Sequence, residues 1–327
     1  MIDNRAMSTR SRVGEIVLLA LGLLAGLVAA EAAVRLLGLS PSDHTGYAPV
    51  LTNRRWGGPT NSLGYRDVEH EHAKPSGVHR LIALGDSFAW GAGVEFEDAW
   101  PRRLQRSLSA HRREEWEVVS LALPGMNTVE QAVQLSAEGL AWDPDVVVLG
   151  YCLNDSEDDD AAEMRRARDW AELPAARKAR RAPSLLGLSA LFSTIAGRIE
   201  ATLENRRREA NYLSQYADDY PGWLAARQAL ADMAQAARAR DVPLVVVIFP
   251  LFGNPLDEDY PFTAIHEKVA RAARDAGAHV VDLLPAYRGL RWDVLVVDGA
   301  RDEHPNEIAH RIAQNVIVSS LDALLSR

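Results

Sequence analysis

Cysteine is nearly absent from this 327-residue chain, with Cys152 its only representative. No intramolecular disulfide can form, and a zinc site built on thiolates is excluded. An excess of positive charge is missing too. The 36 Lys and Arg stand against 45 Asp and Glu, and a formal net charge of −9 argues against a nucleic-acid partner. Internal repeats are absent, and clustered metal ligands are scarce. Glu69-His70-Glu71-His72 has nothing to fix its side chains on one face and reads as a solvated loop. The acidic run Glu157-Asp158-Asp159-Asp160 reads as a solvated helix start. No metal and no cofactor are expected.

Long apolar runs are confined to the amino terminus. Residues 16–30 are uninterruptedly apolar, and with Ala32, Ala33 and Val34 they approach the roughly 20 residues that cross a bilayer as a helix. Arg5, Arg10 and Arg12 precede the run. This places residues 1–12 in the cytoplasm, a transmembrane anchor at 13–37, and the remainder in the periplasm or outside the cell. Glu31 and Arg35 stand four apart and are positioned to pair at the outer interface. The rival readings are a signal peptide cleaved near Ala30-Glu31-Ala32 and a buried core helix; the apolar segment extended through Val34 exceeds the usual 7–15 apolar residues of a signal. Either leading reading exports the rest of the chain, about 290 residues, enough for one large single-core domain.

Residues 38–77 are rich in Pro, Gly, Asn and His and read as a tether and irregular lead-in. From 78 to 327, five short apolar runs at 80–84, 117–121, 146–151, 244–249 and 279–283 alternate with helical patterns. The Val/Ile/Leu runs at 146–149 and 244–248 look like strands buried on both faces of a parallel sheet. Alternating strands and helices imply an α/β fold, a three-layer α/β/α sandwich around a five-stranded, mainly parallel sheet. A helical insertion at about 156–220 interrupts the pattern and is expected to overhang the site as a mobile lid. An alanine-rich amphipathic helix comes next, at 223–240. Phe252, Tyr260 and Phe262 line the site entrance or pack in the core, and Cys152, inside a strand-like run, is expected to be buried.

The chemistry concentrates after the first run. Gly85-Asp86-Ser87-Phe88 places a serine hydroxyl where a buried strand stops, at the carboxyl edge where open α/β sheets keep their ligand crevices. Ser87 is the candidate nucleophile. Downstream come Gly125 in Leu123-Pro124-Gly125-Met126-Asn127-Thr128, Asn154 in Gly150-Tyr151-Cys152-Leu153-Asn154-Asp155, and His304 in Asp302-Glu303-His304-Pro305-Asn306. Taken singly, these read as turns and a helix start, Pro124-Gly125 as a type II turn and Pro305 as a first helical residue, with Ile308, Ile312 and Val316 recurring at helical spacing.

Together, from roughly residue 61 to 310 and in this order, the four blocks resemble the SGNH (GDSL-type) hydrolase family, whose members contribute a Ser, a Gly, an Asn and a His to one site. The resemblance implies a flavodoxin-like SGNH hydrolase fold, preceded here by the one transmembrane helix read from the apolar amino-terminal run. It also implies an ester hydrolase (esterase, lipase or deacetylase) working through an acyl-serine intermediate. A serine hydroxyl needs a base, and histidine, with an unperturbed pKa of about 6.5, suits His304 to that role. The backbone N–H groups of Ser87 and Gly125 and the Asn154 side-chain amide would form the oxyanion hole. The commonest family pattern has Asp three residues before the His, where this chain has Arg301. Asp302 is therefore the expected orienting acid, with Asp298 in reserve and a backbone carbonyl as a third option. The segment Asn61-Ser62-Leu63-Gly64-Tyr65-Arg66 also resembles one found in membrane-anchored relatives, with no role derivable from its residues.

An acylated small molecule, a lipid or a polysaccharide is the implied substrate, and the membrane is a partner through the amino-terminal helix. Two alternatives stay open: an O-acyltransferase acting on an envelope polysaccharide, and a non-catalytic carbohydrate-binding or assembly module. A metal-dependent phosphodiesterase lacks a credible ligand cluster.

Overall fold

The computed structural model describes residues 4–37, 58–156, 189–298 and 302–326. Its first elements are α1 (Asn4–Leu36), β1 (Val78–Gly85), α2 (Ser87–Trp90), α3 (Trp100–Arg112), β2 (Glu115–Ser120), α4 (Thr128–Ala137) and β3 (Val146–Tyr151). After these come α5 (Ala190–Gln215), α6 (Pro221–Arg238), β4 (Leu244–Ile248), α7 (Thr263–Asp275), β5 (His279–Asp282), α8 (Leu284–Tyr287), β6 (Val296–Asp298), β7 (Asp302–Pro305) and α9 (Glu307–Leu325). The chain divides into two compact units, Met1–Tyr47 with Ala171–Arg208, and Ala48–Trp170 with Glu209–Arg327.

The first unit holds α1. Its stretch Gly14–Leu36, 23 residues, is long and apolar enough to cross a membrane, a test that a leader sequence also meets. At 1.5 Å per residue it reaches about 35 Å against a hydrocarbon core of about 30 Å. Leu18, Leu19 and Leu23 are exposed, as side chains bound for lipid would be. Glu31 pairs with Arg35 at 2.7 Å, the expected i,i+4 partner. Its carboxylate also accepts from Ser189 Oγ and from the backbone N–H groups of Ala190 and Leu191, at 2.8–2.9 Å. It thereby caps α5, whose first N–H groups have no partner inside their own helix.

In the second unit five parallel strands form one sheet in the order β2-β1-β3-β4-β5. The expected strands are found within two residues of their sequence boundaries. Every residue of β3 and β4 is buried, which is why these strands carry continuous apolar runs instead of alternation. Each such side chain contributes about 1.5–3 kcal/mol by leaving water. On one face α3 packs against α9; on the other, α4 packs against α6 and α6 against α7. This is the three-layer sandwich with flavodoxin-like strand order. The order reverses between β1 and β3, so the crevice beyond their carboxyl ends is the natural ligand site.

Several local expectations change. The segment 58–77, read as the end of a tether, packs into this unit: Tyr65, Arg66 and Asp67 are buried. His70 is not solvated, since its side chain is nearly buried and its Nε2 lies 3.1 Å from Asp67 Oδ2. Phe252, Tyr260 and Phe262 are core residues, as is Cys152. Pro305 does not open a helix. It closes β7, and α9 starts one residue after its cap Asn306, whose side-chain oxygen accepts from Ile308 N–H and Ala309 N–H. The buried stripe of α9 is consequently Ala309, Ala313, Ile317 and Leu321, while Ile308 is exposed. The acidic run at 157–160, with the whole stretch 157–188 of the expected lid, lies outside the described residues.

Candidate active site

Strand β1 ends at Gly85, where φ is +145° and an added Cβ would stand 2.7 Å from Ala89 Cβ and 2.8 Å from the Gly150 carbonyl oxygen. Only glycine lets the chain turn this tightly against the neighbouring strand. Asp86 follows as the N-cap of α2, its Oδ1 accepting from Phe88 N–H at 2.9 Å. Ser87 is thereby the first residue of a one-turn helix, with its hydroxyl at the carboxyl edge of the sheet.

The partner arrives on a hairpin that has no signature in the sequence. β6 and β7 pair antiparallel, Val296 opposite Pro305 and Asp298 opposite Asp302. Asn306 locks their base, donating through Nδ2 to the Val294 and Val296 carbonyls. The hairpin holds His304 edge-on to Phe88, with ring centroids 5.7 Å apart. His304 Nε2 lies 3.0 Å from Ser87 Oγ, and its Nδ1 lies 2.7 Å from Asp302 Oδ1. An ionised carboxylate only accepts, so Nδ1 carries the proton and donates, which leaves Nε2 to accept from the serine hydroxyl. Asp302 Oδ1 also accepts from His304 N–H at 3.1 Å. Asp298 sits across the hairpin from Asp302, on its exposed side. Arg301 lies outside the described residues.

Gly125 and Asn154 converge from the two strands beside β1. Gly125, with φ +81°, stands third in a turn closed by Met126 N–H donating to the Leu123 carbonyl, and Pro124 occupies the position a type II turn favours for proline. Leu123 N–H donates to the Gly85 carbonyl at 3.2 Å, which ties this turn to the residue two before Ser87. Asn154 lies in the single 3₁₀ turn Leu153–Ser156 directly after β3. Its Nδ2 donates to Asp86 Oδ2 at 3.2 Å, and the same oxygen is 3.4 Å from Ser87 Oγ. Hydrogen bonds thus link Ser87, His304 and Asp302 directly and Asn154 through Asp86, and they tie the turn that carries Gly125 to the residue two before Ser87.

Three further residues support the arrangement. Asp86 touches the cap, the asparagine and the serine at once; the preference of aspartate for helix N-caps was its one sequence signal. Arg66 donates to the carbonyls of Trp90, Gly91 and Val94 at 2.8–2.9 Å, immediately after α2. Asp67 accepts through Oδ2 from Ser120 N–H at 2.7 Å, at the end of β2. The sequence marks Arg66 only as the last residue of the resembling segment Asn61–Arg66, without a role, and does not mark Asp67.

Two other reactive side chains are silenced by their surroundings. Burial pushes the Cys152 thiol well above its usual range, with the nearby Asp86 and Asp155 carboxylates adding to the effect. It stays protonated and is no rival nucleophile. His310 is fully buried with Nδ1 accepting from Trp100 N–H at 3.2 Å. Burial, with the Arg103 and Arg66 guanidiniums and the neighbouring His304 ring adding to the effect, depresses its pKa to about 3. Among the described residues no group of three or more His, Cys, Asp or Glu is placed to hold a metal.

Comparison with known proteins gives a match between residues 83–312 and the model of the GDSL-like lipase/acylhydrolase family. Among solved structures, TesA is similar at 18% identity, covering 75% of this chain and 99% of its own, with a TM-score of 0.47. The psychrotrophic esterase EstA from Pseudoalteromonas sp. is similar at 15% identity, covering 76% of this chain and 100% of its own, with a TM-score of 0.43. A lipase/acylhydrolase from Enterococcus faecalis is similar at 15% identity, covering 75% and 96%, with a TM-score of 0.44. No curated protein matches.

Proposed function

We infer, since the chain belongs to the GDSL-like lipase/acylhydrolase family, that it is a carboxylic ester hydrolase with Ser87 as nucleophile, His304 as general base and Asp302 as the acid that orients the imidazole. The observation carrying this reading is the continuous hydrogen-bonded chain from Ser87 Oγ through His304 to Asp302, at 3.0 and 2.7 Å.

In the first step Ser87 Oγ attacks the ester carbonyl as its proton passes to His304 Nε2. The carbonyl oxygen becomes an oxyanion, stabilised by the N–H groups of Ser87 and Gly125 and by Asn154 Nδ2; one such donor contributes about 3–4 kcal/mol in comparable sites. The tetrahedral species then collapses. The bond to the leaving oxygen breaks, that oxygen takes the proton from His304, and acyl-Ser87 remains. Water attacks the acyl carbonyl while its proton passes to Nε2, and the second collapse releases the carboxylic acid and returns the proton to Ser87.

The substrate reading is coarser. An acyl ester on a polysaccharide, such as acetyl, or on a lipid fits a chain whose amino-terminal helix is long and apolar enough to cross a membrane. The arginines before that helix favour a catalytic unit on the outer side of the membrane.

The test is labelling with a fluorophosphonate probe followed by peptide mapping. Wild type is expected to label at Ser87 alone, Ser87→Ala not at all, and His304→Ala far more slowly. Labelling at another serine, or an unchanged rate without His304, would overturn the assignment.

A further inference from the structure

We propose that Arg66 is a positioning residue for the hydrolysis: by capping the carboxyl end of the nucleophile-bearing helix α2, it fixes Ser87 in register with the hairpin that delivers His304. The inference rests on the roles proposed for Ser87 and His304.

A four-residue helix has almost no carbonyl satisfied within itself, and α2 (Ser87–Trp90) is such a helix. Its amino end is held by Asp86. At its other end Gly91 and Ala92 N–H both donate back to the Ser87 carbonyl, and the Gly91 carbonyl accepts only a long bond, 3.4 Å, from Val94 N–H, so the carbonyls of Trp90, Gly91 and Val94 all have room for a further donor. The Arg66 guanidinium meets all three, with Nη1 on Trp90 and Gly91 and Nη2 on Val94. Its plane also lies over the Trp90 ring, 4.7 Å from the centroid. A buried cation at a helix carboxyl end complements the partial negative charge there. Arg66 is only 5% exposed, and burial lowers its pKa, yet a guanidinium keeps its charge in proteins. No other side chain offers a planar fork of this reach; a lysine ammonium is a point donor on a flexible stem.

The loop that Arg66 holds is also the seat of the histidine hairpin. Gly93, with φ +81°, runs so close to β6 that an added Cβ would stand 2.4 Å from a methyl of Val297. Residues 90–94 therefore lie between two catalytic carriers: α2 on one side and the β6–β7 hairpin on the other. The adjacent Asp67 fixes the segment bearing Arg66 by binding Ser120 N–H at the end of β2, the strand that leads to Gly125. A shift of about 1 Å between reacting groups is enough to cost about 100-fold in rate.

The experiment compares full-length wild type, Arg66→Lys, Arg66→Met, Gly93→Ala and Ser87→Ala in detergent, using p-nitrophenyl acetate. Each kcat is normalised to the fraction of Ser87 that a fluorophosphonate titrates. Arg66→Lys should lose about 10-fold and Arg66→Met about 100-fold in kcat per titrated serine, with KM changed less than twofold. Gly93→Ala, which disturbs the same loop through Val297, should show the same split between kcat and KM. A merely structural role would lower the melting temperature and the titratable fraction and leave kcat per serine at the wild-type value; that result overturns the proposal. If Arg66→Met fails to fold, Arg66→Lys decides by the same criterion. Full activity in Ser87→Ala would instead overturn the nucleophile assignment, so the two failures are distinguishable.

Discussion

Replacing Asp302 by asparagine is expected to cost about 30- to 150-fold in kcat, far less than removing the side chain. The reason lies in a single oxygen. Asp302 Oδ1 accepts both the backbone N–H of His304, at 3.1 Å, and Nδ1–H, at 2.7 Å. A backbone N–H can only donate, so in the asparagine variant it selects the amide oxygen for that position and sends the NH₂ to the place of Oδ2. The amide oxygen then still accepts from Nδ1–H, and the tautomer with Nε2 open toward Ser87 survives. What disappears is the negative charge facing the imidazolium formed during attack. Two unit charges about 4 Å apart interact by about 4 kcal/mol at an effective dielectric of 20 and by about 1 kcal/mol in water. The side chains of His304 and Asp302 are 29% and 19% exposed, which places the loss between those limits, at about 2–3 kcal/mol. Asp302→Ala forfeits orientation as well and should fall by about 10³- to 10⁴-fold, the range seen when a triad acid can no longer hold the tautomer. The assay is kcat on p-nitrophenyl acetate per serine titrated by a phosphonate. Equal losses in the two variants would refute the argument from the shared oxygen. An unchanged rate in both would remove Asp302 from the site and make Asp298 the next position to substitute.

Asn154→Ala should lower kcat by about 10²- to 10³-fold with little change in melting temperature, whereas Asn154→Asp should also lower that temperature, because it sets a second carboxylate where Nδ2 now lies 3.2 Å from Asp86 Oδ2. His310 makes stability depend on pH: its pKa falls from 6.5 to about 3 on folding, so the unfolded chain binds the extra proton, and stability, complete above pH 6.5, is lost as pH falls toward 3. Denaturant titrations at pH 7.5 and 5 should differ by about 2 kcal/mol more in wild type than in His310→Asn, which keeps an acceptor for Trp100 N–H and cannot titrate; equal differences would show that His310 is not buried neutral.

The parts of this molecule that were legible in its sequence are those in which one local pattern answers to one physical demand. β3 and β4 read as strands because burial on both faces requires uninterrupted Val, Ile and Leu. Ser87, Gly125 and Asn154 could be placed because each comes just after such a strand, and the strand order puts the three ends side by side. The β6–β7 hairpin had no such signature. Its strands are three and four residues long, and Asp302-Glu303-His304-Pro305 has no alternation and ends in a residue with no N–H to donate, so Pro305 passed for a helix start. The roles of Arg66 and Asp67 were opaque for a different reason, although Arg66 ends a segment that the sequence did single out. Their work is done on carbonyls and an amide 24 to 53 positions away, and any Arg-Asp pair in a loop reads the same until the fold is known.

The Glu31 carboxylate on the first residues of α5 changes what trimming the protein would mean. A soluble version that begins after residue 36, or a product matured by a peptidase cutting beside Ala30, loses the acceptor for Ser189, Ala190 and Leu191, which lie 158 to 160 positions further along. The exposed amide edge would then rely on solvent, and that helix end should fray. Enzymology on such a shortened chain would sample a different molecule from the full-length protein.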